Sequence, residues 1–278
     1  MQRISPRPSK VATLWIGRRL TVFEQLSLKT FAHAGHQVVL YTYSHVDDVP
    51  QEVIVRDARD IVPEYAVFQN PESSSYAMFS NLFRYEMMAR TGETWIDADL
   101  IKLKRPLPET EYLFAFESRQ TVAAGLVRGP RNSDFVRMLS AGARPMMSVE
   151  KRQVKWGTYG PRLLTQCVRE LDLLHFALDS QDIYPVTYLQ MARLFSTKPR
   201  DKAWCEKVAG TAMTLHLWNK FLTVSGQKAL APHPESFLGE MMAENGIPTC
   251  EPFIESRLIA KQFGLLEKAV RRLIRVIR

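Results

Sequence analysis

Two acids, Asp97 and Asp99, stand two residues apart inside the otherwise apolar run TWIDADLIKL (94–103). A carboxylate in such a run loses hydration that a protein interior does not repay unless something binds it. Read as one strand, the run alternates sides, so both carboxylates share a face about 7 Å apart along the chain. That spacing suits a hard divalent cation and the phosphates it carries. A helix cap, a salt-bridged structural pair or a strand end in water would place the same residues without a ligand.

Other side chains are candidates to join the pair. Arg84 and Asn81 lie three residues apart on a preceding helical stretch and can present a guanidinium and an amide to one ligand; the alternative is a surface stretch shared with Glu86. His216, in the apolar segment TLHLW, reads either as a hydrogen-bonded core residue or as a third metal ligand. Trp15 ends a first apolar strand, where α/β sheets present residues to ligands; core packing and base stacking are its two readings. Glu72, Glu117 and Asp134 are further acids, and nothing local singles one of them out as a nucleophile.

The elements that must position these residues follow from pattern. VATLWIG (11–17) reads as a buried strand. Thr21 and Glu24 make a capping box that opens a helix through about His33, and Gly35 stops it. HQVVLYTY (36–43) and EVIVRDA (52–58) are the next strands. Strand, helix and strand within about 30 residues is the unit of a parallel α/β sheet. A helix over about 78–90, with Leu82, Tyr85, Met88 and Ala89 on its core face, ends at Gly92 and leads into the acidic run. YLFAFE (112–117) and TVAAGLV (121–127) are strands, Asn132 or Ser133 caps a short helix, and GPRLLTQCVREL (160–171) is a helix with proline in its first turn. Helical segments recur near 200–208 and 235–245, with a late strand at MTLHLW (213–218).

The 278 residues, 46% hydrophobic and 24% charged, suit one large α/β domain with a mixed, mostly parallel sheet. The net charge of +8 sits in the ends: residues 1–10 carry +3 and residues 254–278 carry +5, so the body is neutral. The body has neither basic patch nor motif for nucleic acid. Cys167, Cys205 and Cys250 lack metal-ligand spacing and disulfide parity, which favours buried thiols in a reducing compartment. No apolar run is long enough to span a bilayer and no signal peptide opens the sequence, so a cytoplasmic protein is expected. Residues 1–10 read as a loose basic arm, 11–253 as the domain, and 254–278 as a basic amphipathic helix that either packs on the domain or docks on an anionic inner membrane face.

Taken together, SNLFRYEMMARTGETWIDAD (80–99) resembles the SDLLRY…GGIYLDTD block of the family 32-like glycosyltransferases with a DxD sugar-binding region, which include capsular polysaccharide sugar transferases. Trp15-Ile16-Gly17 is similar to the W-I-G of that group and of the clostridial glucosylating toxins, GTYGPRLLTQ to its "tGP" helix start, and the late HLW to its C-terminal histidine block. The resemblance implies a GT-A, Rossmann-like nucleotide-sugar-binding fold and a nucleotide-diphosphate sugar donor, UDP- or GDP-linked. It further implies a divalent ion, Mn²⁺ or Mg²⁺, a glycan or lipid-linked acceptor, and retention of configuration. By the same resemblance Trp15 would stack on the base, and Arg84 would bind donor sugar or phosphate. Asp97 would contact sugar and metal, Asp99 would ligate the metal, and His216 would ligate metal or diphosphate. Asn81 stands where the family has an acid, Thr94-Trp95 where it has Ile-Tyr, and Gly92-Glu93 where it has Gly-Gly. Two other classes compete. A Mg²⁺ phosphotransferase of the haloacid dehalogenase type also carries DxD after an apolar strand, but wants threonine soon after, where Leu100-Ile101-Lys102 follows. A sugar- or membrane-binding protein without turnover is the other, favoured by Asn81 alone.

Overall fold

Residues 11–14 are buried on both faces, which places strand β1 (Lys10–Trp15) in the middle of a sheet covered by helices. The structure, a computed structural model, describes residues 9–70, 75–148 and 157–261. After β1 come α1 (Val22–His33), β2 (Gln37–Thr42), β3 (Ile54–Asp57), α2 (Ala77–Thr91), β4 (Thr94–Ile96) and β5 (Leu100–Lys102). Next are β6 (Leu113–Ser118), β7 (Thr121–Arg128), α3 (Asp134–Ala143), α4 (Leu163–Glu170), β8 (Ala177–Leu178) and α5 (Ser180–Ile183). The described part closes with α6 (Pro199–Thr211), β9 (Thr214–His216), α7 (Asn219–Val224) and α8 (Phe237–Glu244).

The main sheet has seven strands in the order β3-β2-β1-β4-β7-β6-β8. β1 to β4 are mutually parallel, β7 runs antiparallel to both β4 and β6, and β8 is parallel to β6. This is the mixed, mostly parallel α/β sheet expected from the sequence. The chain builds outward from β1 through β2 to β3 and then returns to β1's other side with β4. The order therefore reverses between β1 and β4, and such a switch opens a crevice outside the strands' carboxyl ends. Trp15 ends β1 there, and Asp97 follows β4.

The caps came out as the sequence indicates. Thr21 N donates to Glu24 Oε2 at 2.9 Å while Phe23 N donates to Thr21 Oγ1 at 3.4 Å, the reciprocal bonds of a capping box. Gly92 ends α2 in the left-handed region, at φ 73°, where a Cβ would be strained. On α2, Leu82, Tyr85 and Met88 are buried as expected, and Arg84 is buried with them at 3% exposure, which rules out a surface stretch. The buried Glu86 carboxylate accepts from Ser140 Oγ at 2.6 Å and Arg144 Nε at 2.9 Å, fixing α2 against α3.

Four expectations need correction. The acidic run is not one strand: Leu100 N donates to Asp97 O at 3.0 Å, closing a turn over 97–100, and β5 leaves the main sheet to pair antiparallel with β9. Each three-residue strand is buried in its own sheet, so the apolar pattern is continuous although the strand is not. Gly160 has non-helical backbone angles (φ −99°, ψ −114°), and the regular helix begins at Leu163 rather than at 160. The short helix after Ser133 continues to Ala143. Cys167 and Cys205 are buried, but Cys250 is exposed; all three are free.

No described helix is long and apolar enough to cross a membrane. Residues 1–8, most of the expected basic arm, and 262–278, most of the expected basic helix, lie outside the described residues. Ile254 and Ile259, at that helix's start, are buried in the core around β5, β9 and α8.

Lys102 of β5 is 5% exposed, and its ammonium donates to the carbonyls of Leu103 at 2.7 Å and Arg105 at 2.5 Å. Among the described residues no carboxylate pairs with it, and burial pushes its pKa down from 10.5 to about 8. A lysine lowered in the folded state costs stability while charged, and the unfolded chain keeps its proton longer as pH rises. Stability should therefore increase between about pH 8 and 10.5. Denaturant unfolding of the native chain is expected to gain roughly 1–3 kcal/mol over that interval relative to Lys102→Met. An identical pH dependence in the two proteins would contradict this account of Lys102.

Candidate functional site

Asp97 is held by the main sheet. Its amide donates to Gly125 O on β7 at 2.7 Å. Its Oδ1 accepts from Arg84 Nη2 at 2.8 Å and from Trp95 Nε1 at 2.7 Å. The guanidinium also lies over the Trp95 ring, 4.7 Å from its centroid, so the cation is hydrogen-bonded at its edge and stacked on its face. Arg84 Nη1 donates to Asn81 Oδ1 at 2.7 Å, so Asn81 orients the arginine.

Asp99 is held by the small sheet. Its carbonyl accepts from Leu217 N at 3.0 Å, and pairing of β5 with β9 sets Leu100 opposite His216. Asp99 Oδ1 lies 3.2 Å from His216 Nε2, and Asp99 Oδ2 accepts from Asn219 N at 2.8 Å. Burial opposes ionisation of both partners. The ion pair outweighs it, so Asp99 is lowered to about 2 and the His216 pKa is raised, with Asp97 and Glu117 adding to the latter. Ligand atoms of Asp97, Asp99 and His216 all lie within 4.8 Å of one another. Two carboxylates and an imidazole at that spacing are a donor set for one divalent ion. His216 Nδ1 is buried without a partner among the described residues.

Behind Asp99 lies a network that the sequence did not announce. Glu24, fully buried, serves α1's capping box through Oε2, accepts from Asn219 Nδ2 at 2.6 Å through Oε1, and pairs with Lys228. Glu24 thus fixes Asn219, whose amide holds Asp99. Its capping role was readable from Thr21–Glu24; its second role joins residues about 200 positions apart and has no local signal. Trp95 was visible only as a departure from the family pattern. Glu93, the other departure, is buried and accepts from Tyr41 Oη at 2.9 Å and Arg56 at 3.1 Å.

Trp15 stands at the carboxyl end of β1, partly buried, with its indole N–H unpartnered. Because β6 is parallel to β4, Glu117 lies at the same sheet end; burial raises its pKa, with His216 pulling the other way. Asp134 follows β7, which ends at the opposite side of the sheet, and it pairs with Arg137 in the open. Glu72 lies outside the described residues.

Glu24→Leu would remove the contact to Asn219 together with the charge facing Lys228. A buried pair broken on one side costs about 3 kcal/mol, to be read by denaturant unfolding. Loosening a support of Asp99 is expected to weaken Mn²⁺ binding roughly tenfold by calorimetry. Unchanged ion affinity would remove Glu24 from the site's support.

No protein-family model and no curated protein matches the sequence. Among solved structures the chain is similar to the PaToxG glycosyltransferase, at 17% identity and a TM-score of 0.44, over 60% of this chain and 69% of that one. It is also similar to the apo-form glycosyltransferase GlyE of Streptococcus pneumoniae TIGR4, at 13% identity and a TM-score of 0.38, over 95% of this chain and 64% of that one. Both likenesses are loose, and the chain spans about two thirds of either protein's length.

Proposed function

We propose that this chain is a metal-dependent glycosyltransferase of GT-A type that moves a sugar, with retention, from a nucleoside-diphosphate sugar to a glycan or lipid-linked acceptor. The observation that carries this reading is the convergence of Asp97, Asp99 and His216 within 4.8 Å at the switch point beside β1. The motif resemblance over residues 80–99, which includes two of these three residues, supports it as well.

In this reading Asp97, Asp99 and His216 hold the divalent ion, and the imidazole in the set favours Mn²⁺ over Mg²⁺. When bound, the ion would stabilise the negative charge that develops on the departing diphosphate. Trp15 offers an indole face to the base. Arg84, pinned by Asp97 and Asn81, offers a preorganised guanidinium to donor sugar or phosphate. A lipid-linked acceptor at an anionic membrane surface would suit the basic segment 254–278 and a peripheral location.

Nucleoside-diphosphate release from a panel of UDP- and GDP-sugars, with and without Mn²⁺, tests the reaction. The native chain is expected to show ion-dependent release that Asp99→Ala lowers at least about a hundredfold. Ion-independent nucleotide binding with no turnover would instead indicate a binding protein, and phosphate release from monoesters a phosphotransferase. For the membrane part, a chain ending at Lys261 keeps the buried Ile254 and Ile259 and should no longer sediment with anionic vesicles. Equal sedimentation of both chains would sink the docking idea.

A further inference from the structure

Among the described residues seven buried side-chain polar atoms have no hydrogen-bond partner, and five of them belong to this site: Trp15 Nε1, Arg84 Nε, Tyr184 Oη, His216 Nδ1 and Asn219 Oδ1. Buried polar groups are ordinarily paired, so such a concentration marks where a polar ligand belongs. Of the five, Tyr184 stands out because neither motif nor periodicity points to it.

Tyr184 follows α5, is 5% exposed, and sets its ring edge-on to His216, 5.8 Å between centroids at 90°. The ring is therefore packed, and the hydroxyl, with the Leu126 backbone beside it, forms no well-aligned hydrogen bond among the described residues. A phenol keeps its proton at neutral pH, so the hydroxyl has it to donate. Opposite lies Asp97. Its Oδ1 is taken by Arg84 and Trp95, whereas Oδ2 receives no hydrogen bond from a described residue and, with two lone pairs, can face the ion and accept one hydroxyl proton besides.

Gly125 on β7 lies between them. A Cβ at this position would stand 3.1 Å from Asp97 Oδ2 and 3.1 Å from Tyr184 Oη, so the two oxygens are within about 6 Å of each other. Nor does the backbone require glycine here, since 125 is not among the positive-φ positions. Glycine inside a strand marks close approach by something else. Both oxygens stand over the same bare stretch of β7, one a proton donor and the other an acceptor, so a single hydroxyl placed within hydrogen-bond reach of both would satisfy the pair.

We infer that Tyr184 Oη, Asp97 Oδ2 and the bare backbone of Gly125 form a subsite for one hydroxyl group of the transferred sugar, making Tyr184 and Gly125 determinants of donor specificity. The inference rests on the glycosyltransferase reading above and adds the part of the donor that these residues recognise. A site built to pair a substrate hydroxyl discriminates strongly against an analogue lacking it. Ribose offers the same chemistry, so the test separates the sugar from the nucleotide.

The experiment uses the full chain with saturating Mn²⁺ and titrates each UDP- and GDP-sugar of the panel against the matching free nucleoside diphosphate. Tyr184→Phe, which keeps the ring, is expected to weaken the nucleotide sugar about tenfold and leave the nucleoside diphosphate unchanged. Its thermal midpoint should stay level or rise, because the lost hydroxyl had no partner in the fold. Gly125→Ala sets a methyl group against both oxygens and should weaken the nucleotide sugar further, again sparing the nucleotide. Among singly deoxygenated donors, one position should cost the native chain about tenfold and cost Tyr184→Phe nothing more. Equal binding of the sugar donor by native chain and Tyr184→Phe overturns the subsite and leaves the glycosyltransferase reading standing. Parallel loss for the free nucleotide also overturns it and assigns the hydroxyl to ribose. If no nucleotide sugar binds the native chain in the presence of Mn²⁺, the reading itself fails and the subsite falls with it.

Discussion

One carboxylate oxygen, Asp97 Oδ1, receives both the Arg84 guanidinium and the Trp95 indole N–H, and the site's remaining geometry follows from that arrangement. The two donors arrive from different elements, α2 and β4, and they are stacked on each other. Neither can shift without dragging the other. With Oδ1 occupied, the carboxylate's rotation is fixed and Oδ2 lies over Gly125 without a hydrogen bond from a described residue. An acid that would be costly in an apolar setting is made rigid by partners that leave half of it available.

The supports reach outward in the same manner. Arg84 is steady because Asn81 holds its other nitrogen and because Glu86, two residues along the helix, is anchored to α3. Asp99 is steady because Asn219 is, and Asn219 because Glu24 is. Charged groups buried in this number are a poor route to stability, since well-packed apolar side chains would serve as well or better. Their value lies in fixing directions at the mouth of the sheet.

Much of this was readable in advance, and the failures have a common cause. The strand and helix order, the Thr21–Glu24 capping box and the Gly92 stop depend on contacts within a few residues, and the sequence carries them locally. Asp97, Asp99, Arg84 and His216 could be singled out because polar groups in apolar runs are conspicuous. The switch of sheets between Ile96 and Leu100 could not, because two short buried strands in different sheets leave the same apolar signature as one long one. Tyr184, Asn219 and Lys228 were missed for another reason. The residues they face are 87, 120 and 204 positions away in the chain, and an irregular segment gives no period from which to infer a facing side.

That change of sheet has a mechanical meaning. Asp97 continues the ladder of the seven-stranded sheet through Gly125, whereas Asp99 and His216 belong to the β5–β9 ribbon. Only Ala98 separates the two acids in sequence. An ion gripped by all three would be a rivet joining the seven-stranded sheet to the β5–β9 ribbon, and linkage makes the relation reciprocal. Whatever loosens the contact between the layers, even a substitution deep in the apolar packing beneath β9, would lower the affinity for the ion. Loading the ion would in turn stiffen the joint.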